Sequence, residues 1–119
     1  MYSAMRMKKR YVVFAVKSAA PASEEDVKKG MYAFLLRFFG EYGYSKLSYK
    51  FMQYEQKEGL ALARCSRDSL NDMLGALALI ENLNGKKART TALASSGTLK
   101  TLREKGFSFI REKEEKKKK

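Results

Sequence analysis

Apolar positions fall into four short runs and two longer stretches of helical spacing. The first run, residues 10–16 (R-Y-V-V-F-A-V), is rich in β-branched and aromatic residues. Tyr11, Val13 and Ala15 make one face and Val12, Phe14 and Val16 the other, so both faces are apolar, as in a central strand. Pro21 marks a turn, and Ser23 follows as a helix N-cap with Asp26 three residues on. Glu24 and Glu25 suit the positive end of that helix. Val27, Met31, Phe34, Leu35 and Phe38 recur at helical spacing and predict a helix over residues 24–39, stopped at Gly40 or Gly43. Tyr32, Leu36 and Phe39 lie off this stripe and widen the apolar face beyond one sheet contact. They read as a deep core or, functionally, as a partner interface.

Residues 47–55 (L-S-Y-K-F-M-Q-Y-E) predict a second strand and residues 60–65 (L-A-L-A-R-C) a third, joined by a short loop that ends at Gly59, as in a hairpin. Ser66 or Asp68 caps a second helix whose core face is Leu70, Met73, Leu74, Leu77 and Ile80, with Asn84-Gly85 as its end. A fourth strand spans residues 86–94, and a short helix spans residues 98–104 before Gly106. The order β-α-β-β-α-β is the split, ferredoxin-like arrangement of an α+β fold, with an antiparallel sheet and both helices on one face. The expected division is one domain over residues 1–105 and a basic C-terminal tail over 106–119, in which residues 107–110 are apolar enough to dock. Residues 1–9 read as a frayed basic arm.

Charge changes the picture. The 119 residues carry a net +12, and the excess sits at the two ends of the chain. Residues 1–17 hold five bases and no acid, whereas residues 22–82 hold eight bases and nine acids. Residues 83–105 return to six bases against one acid. Segregated positive charge points to a polyanion, and nucleic acid is the commonest. In the expected topology the first strand runs antiparallel beside the fourth. Lys8, Lys9 and Arg10 then lie near Ser95, Ser96, Gly97 and Lys100, with Arg103 one turn further on. Lys86 and Arg89 complete the candidate RNA-binding set. Gly97 allows a tight turn, and the start of the following helix offers backbone N–H groups to phosphate.

Catalytic chemistry is not legible. There is no histidine to serve as the usual general base. Glu24, Glu25 and Asp26 are helix-start acids, Cys65 has no histidine partner, and Ser95–Ser96 lacks the flanks of a nucleophile elbow. No catalytic residue and no metal site is expected. No apolar run approaches the roughly 18–20 residues of a membrane span, and no secretory signal is read at the start. One cysteine gives no disulfide framework and fits a cytoplasmic protein. The third strand carries no aromatic residue, so base stacking on the sheet, as in RNA recognition motifs, is not expected.

The segments R-Y-V-V-F-A-V, L-L-R-F-F-G-E-Y-G, A-R-C, A-L-A-L-I-E-N-L-N-G-K-K-A-R and S-G-T-L-K occur in this order between residues 10 and 100. Their order and spacing closely resemble the archaeal ribonuclease P protein component 2 family. The resemblance implies a non-catalytic protein subunit of the RNA-based endoribonuclease that removes the 5′ leader of precursor tRNA. It implies that the RNA performs the chemistry with Mg2+ and that the protein itself binds no cofactor. The implied partners are ribonuclease P RNA, precursor tRNA and ribonuclease P protein component 3, in a heterotetramer with self-association of this chain. Two other classes remain open at this point: a ribosome- or translation-associated RNA-binding protein on the same fold, and a homo-oligomeric ligand-sensing domain.

Overall fold

The computed structural model describes residues 8–20 and 22–110. The first seven residues of the basic arm, the turn residue Pro21 and the charged tail from residue 111 lie outside them. In chain order the elements are β1 (Lys9–Ser18), α1 (Glu24–Leu47), β2 (Lys50–Glu55), β3 (Leu60–Ser66), α2 (Leu70–Leu79), β4 (Asn82–Leu83), β5 (Lys86–Ser96) and α3 (Leu99–Glu104). The strands make one antiparallel sheet in the order β2-β3-β1-β5-β4. The ferredoxin-like arrangement is therefore present, with β4 added as a two-residue edge.

Alternation along β1 sorts the core into two layers. Val12, Phe14 and Val16 face α1 and α2 together with Ala61, Ala63 and Cys65 of β3. From the helices come Val27, Met31, Leu35, Met73 and Leu77. Phe14, Met31, Leu35 and Leu77 are fully buried, and each contributes on the order of 2–3 kcal/mol by leaving water. Val13 and Leu62 look the other way and meet Leu102 and Ile110, with Tyr11, Met52, Leu99, Phe107 and Phe109 around them. The face opposite the two long helices is thus partly closed by the chain's own C-terminal segment. Gln53 fastens that segment by donating its side-chain N–H to the Phe109 carbonyl. Residues 107–110, assigned by pattern to the tail, belong to this packing.

Three local expectations change. α1 does not stop at Gly40 or Gly43 but bends at Gly40 (φ 77°, ψ 171°) and continues to Leu47. That backbone conformation is open essentially to glycine alone. Beyond the bend, Tyr44 packs against the core and Leu47 is buried in it, which holds the extension in place. Leu47 therefore ends a helix rather than starting β2, and Ser48 in the left-handed region caps it.

The contact row of α1 is Val27, Met31, Leu35 and Phe39 at i, i+4 spacing, so Phe39 is half-buried while Phe38 remains 49% exposed. Gly30 lies beside this row because a Cβ there would come within 2.7 Å of Leu83. The third change is at Asn84-Gly85. These residues, both at positive φ, form the turn of a β4–β5 hairpin, while α2 ends earlier, at Leu79. Thr90 Oγ1 donates to the Leu77 carbonyl at 2.6 Å and so satisfies one carbonyl of the last turn of α2.

Candidate nucleic-acid interface

Strand register determines which basic side chains meet. Tyr11 of β1 pairs with Ser96 of β5 on one side and with Arg64 of β3 on the other. Arg64 in turn pairs with Lys50 of β2. The start of β1, the end of β3, the start of β2 and the end of β5 therefore share one end of the sheet. Lys8 is drawn in by its carbonyl, which accepts from the Arg67 N–H at 2.8 Å. Arg10 Nη1 lies 3.3 Å from the position a Cβ would take on Gly97, so any side chain at residue 97 would press on the guanidinium. The result joins Lys8, Lys9, Arg10, Gly97 and the first turn of α3 with Lys100.

Sequence reasoning did not place Lys50, Arg64 and Arg67 in this group. All three lie in the neutral middle of the chain; the β1–β3 pairing brings Arg64 and Arg67 to this end, and the β2–β3 pairing adds Lys50. The Nε atoms of Arg10 and Arg64 are buried and find no acceptor among the described residues. The two guanidiniums stand on opposite faces of this end of the sheet, and their planar Nη forks are the donors suited to phosphate.

The turn into α3 is more self-contained than expected. Ser96 Oγ accepts from the Thr98 N–H at 3.3 Å, and Thr98 Oγ1 accepts from the Thr101 N–H at 3.2 Å. Two donors of the expected anion cradle are thus used within the turn. Its contribution to the site rests on the side chain of Lys100, which is exposed. Arg103 lies one turn further along α3, partly buried.

Lys86 and Arg89 lie at the other end of β5. Arg89 pairs with Lys17 at the far end of β1. Lys86 reaches across to α1, where Nζ is 2.8 Å from the Asp26 carboxylate. Asn84 donates to the other oxygen of Asp26 at 2.9 Å. Lys86 and then Asn84 hold that carboxyl down to about 2, well below its ordinary value of 3.8. The charge pair fastens the hairpin to the start of α1, a structural contact that pattern reading had not assigned to Lys86.

The candidate partner residues lie on α1. Tyr32 is 51% exposed and meets Tyr44 edge-on at 5.4 Å. Leu36 is half-buried, and Phe39 meets Phe38 edge-on at 5.0 Å. Tyr42, past the bend, is 77% exposed, with Lys46 Nζ 5.0 Å from its ring centre. Cys65 is buried, which pushes its thiol up to about 11 against a smaller downward pull from Arg10. Among the described residues no three His, Cys, Asp or Glu side chains converge as metal ligands would. No helix among them is long and apolar enough to cross a membrane.

Comparison with known proteins agrees with this architecture. In a cryo-EM structure of yeast ribonuclease MRP one chain matches the fold with a TM-score of 0.61 at 15% identity, over 87% of this chain and 95% of that one. A protein of Pyrococcus furiosus named ribonuclease P protein component 2 is 32% identical over 104 residues, 87% of each chain. Its namesake from Pyrococcus abyssi is also 32% identical, over 87% of this chain and 88% of its own. The one from Methanosarcina mazei is 31% identical over 101 residues, 85% of each. The sequence model of the Rpp14/Pop5 family matches residues 10–107, a span that takes in every strand but the first residue of β1, all three helices and the near-end basic cluster from Arg10 to Arg103. By that match and those identities, the chain belongs to the Rpp14/Pop5 family.

Proposed function

We propose that this chain is a non-catalytic protein subunit of ribonuclease P, supporting the catalytic RNA as it removes the 5′ leader of precursor tRNA. The family match over residues 10–107 carries the reading. The basic end of the sheet supports it chemically. Lys8, Lys9, Arg10, Lys50, Arg64, Arg67, Lys100 and Arg103 come from four separate chain segments and present mixed ammonium and guanidinium donors. Such a surface matches the phosphates of a folded RNA and reads shape rather than sequence.

In this reading the RNA holds the Mg2+ and performs the cleavage, and the protein neutralises backbone charge. Tyr32, Leu36 and Phe39, with Phe38 and Tyr42 beside them, form the surface for protein partners. Those partners are ribonuclease P protein component 3 and a second copy of this chain, in a heterotetramer. The assembly acts in the cytoplasm.

Binding to the catalytic RNA across a salt series tests the phosphate assignment. Each phosphate neutralised adds about 0.7–0.9 to the log–log salt slope. Lys8→Ala/Lys9→Ala/Lys100→Ala removes three exposed ammoniums. The slope is expected to fall by roughly 2–3 with circular dichroism unchanged. A variant that keeps the full slope and affinity contradicts the placement of RNA at this end.

A further inference from the structure

The face of the sheet that receives the C-terminal segment carries positive charge at both ends. Lys17 and Arg89 are register partners, and Lys87 lies two residues before Arg89 on the same face of β5. The three line an open cleft of ≈ 580 Å³ with Ser18, Asn82 and Glu81. All three cations are exposed, and among the described residues none of them is in an ion pair. Glu81 is the one acid in the lining. Ser18 and Asn82 add hydroxyl and amide groups, the residue types that join Lys and Arg at sugar–phosphate contacts.

From Tyr11, at the near basic end, to Lys17 is six residues of strand, or about 20 Å. The Debye length at physiological salt is about 8 Å. The two clusters therefore do not act as one field, and the buried cluster of Val13, Leu62, Leu102 and Ile110 lies on the stretch of sheet between them. An extended polyanion can engage both ends, whereas a small anion engages one.

We propose that the Lys17–Lys87–Arg89 cleft is a second RNA contact, and that the chain bridges two separate stretches of phosphate backbone. The proposal rests on the reading of the chain as a ribonuclease P subunit. It gives the protein a mechanical role: it fixes the distance between two RNA segments that would otherwise repel.

Site-directed hydroxyl-radical mapping on the assembled complex tests it. An iron chelate is attached through Asn82→Cys, beside the cleft, or through Glu104→Cys on α3. Both positions are exposed, and the native Cys65 is buried and stays unlabelled. The complex is formed with the ribonuclease P RNA and its protein subunits. Cleavage from residue 82 is expected in an RNA segment distinct from that cut from residue 104. The Lys17→Ala/Lys87→Ala/Arg89→Ala variant is expected to lower the salt slope by roughly 2–3.

Cleavage from residue 104 alone, the same segment cut from both positions, or an unchanged slope in the triple variant overturns the bridge and leaves the subunit reading standing. Silence from both positions, with no effect of the chain on precursor-tRNA cleavage, overturns both.

Discussion

Gly40 adopts φ 77° and ψ 171° with nothing within 4 Å of the position a Cβ would take. A substitution there is opposed by backbone strain alone, which costs about 1–3 kcal/mol. Gly40→Ala is expected to lower stability by that amount in denaturant titration and to shorten α1, with the loss concentrated beyond the bend. Asp26 offers a second test at this scale. Its folded carboxyl lies near 2 and its ordinary value is 3.8, so its contribution to stability is present above about pH 4 and is lost as pH falls toward 2. Asp26→Asn is expected to melt below the native protein at pH 6, and the gap is expected to narrow as pH falls from about 4 through 2 and to close only below the folded value. A gap at pH 2 as wide as at pH 6 contradicts the charge pair as its source.

At the scale of elements, α3 is a lid built on one fully buried side chain, Leu102, seated against Val13 and Leu62. Leu102→Ala is expected to cost about 2–5 kcal/mol, as for other buried leucines. Because α3 presents Lys100, the same variant is expected to weaken RNA binding in step with the loosened lid. Hydrogen exchange is expected to rise in residues 99–110 before it rises in β1.

β1 and β3 were legible as short continuous apolar runs, β1 rich in β-branched and aromatic residues, and both long helices by apolar residues recurring three and four positions apart. The departures have local causes. Gly40 interrupts the pattern of α1 and reads as a stop, yet the core contacts resume at Tyr44 and Leu47. Asn84-Gly85 suits a helix end or a hairpin turn, and a strand of two residues is too short to show alternation. The docking of residues 107–110 was anticipated only as an apolar segment in want of a surface. The second sheet face supplies that surface.

For the molecule as a whole, charge counted along the chain and charge arranged in space tell different stories. Half of the candidate site was readable, since the β1–β5 pairing follows from the element order and brings Lys8–Arg10 to Gly97 and Lys100. The rest was hidden by averaging. Lys50, Arg64 and Arg67 sit in a neutral stretch of sequence but fold to the basic end, whereas Lys86 and Arg89, grouped with Lys100 by proximity in sequence, fold to the far end.

The central claim is that this chain supports an RNA catalyst. The direct measurement is precursor-tRNA cleavage by reconstituted ribonuclease P at limiting Mg2+, with and without this chain. The account predicts slow or undetectable 5′-leader removal without it, restored by the native protein and only partly by Lys8→Ala/Lys9→Ala/Lys100→Ala. Equal cleavage rates with and without the folded chain would contradict it.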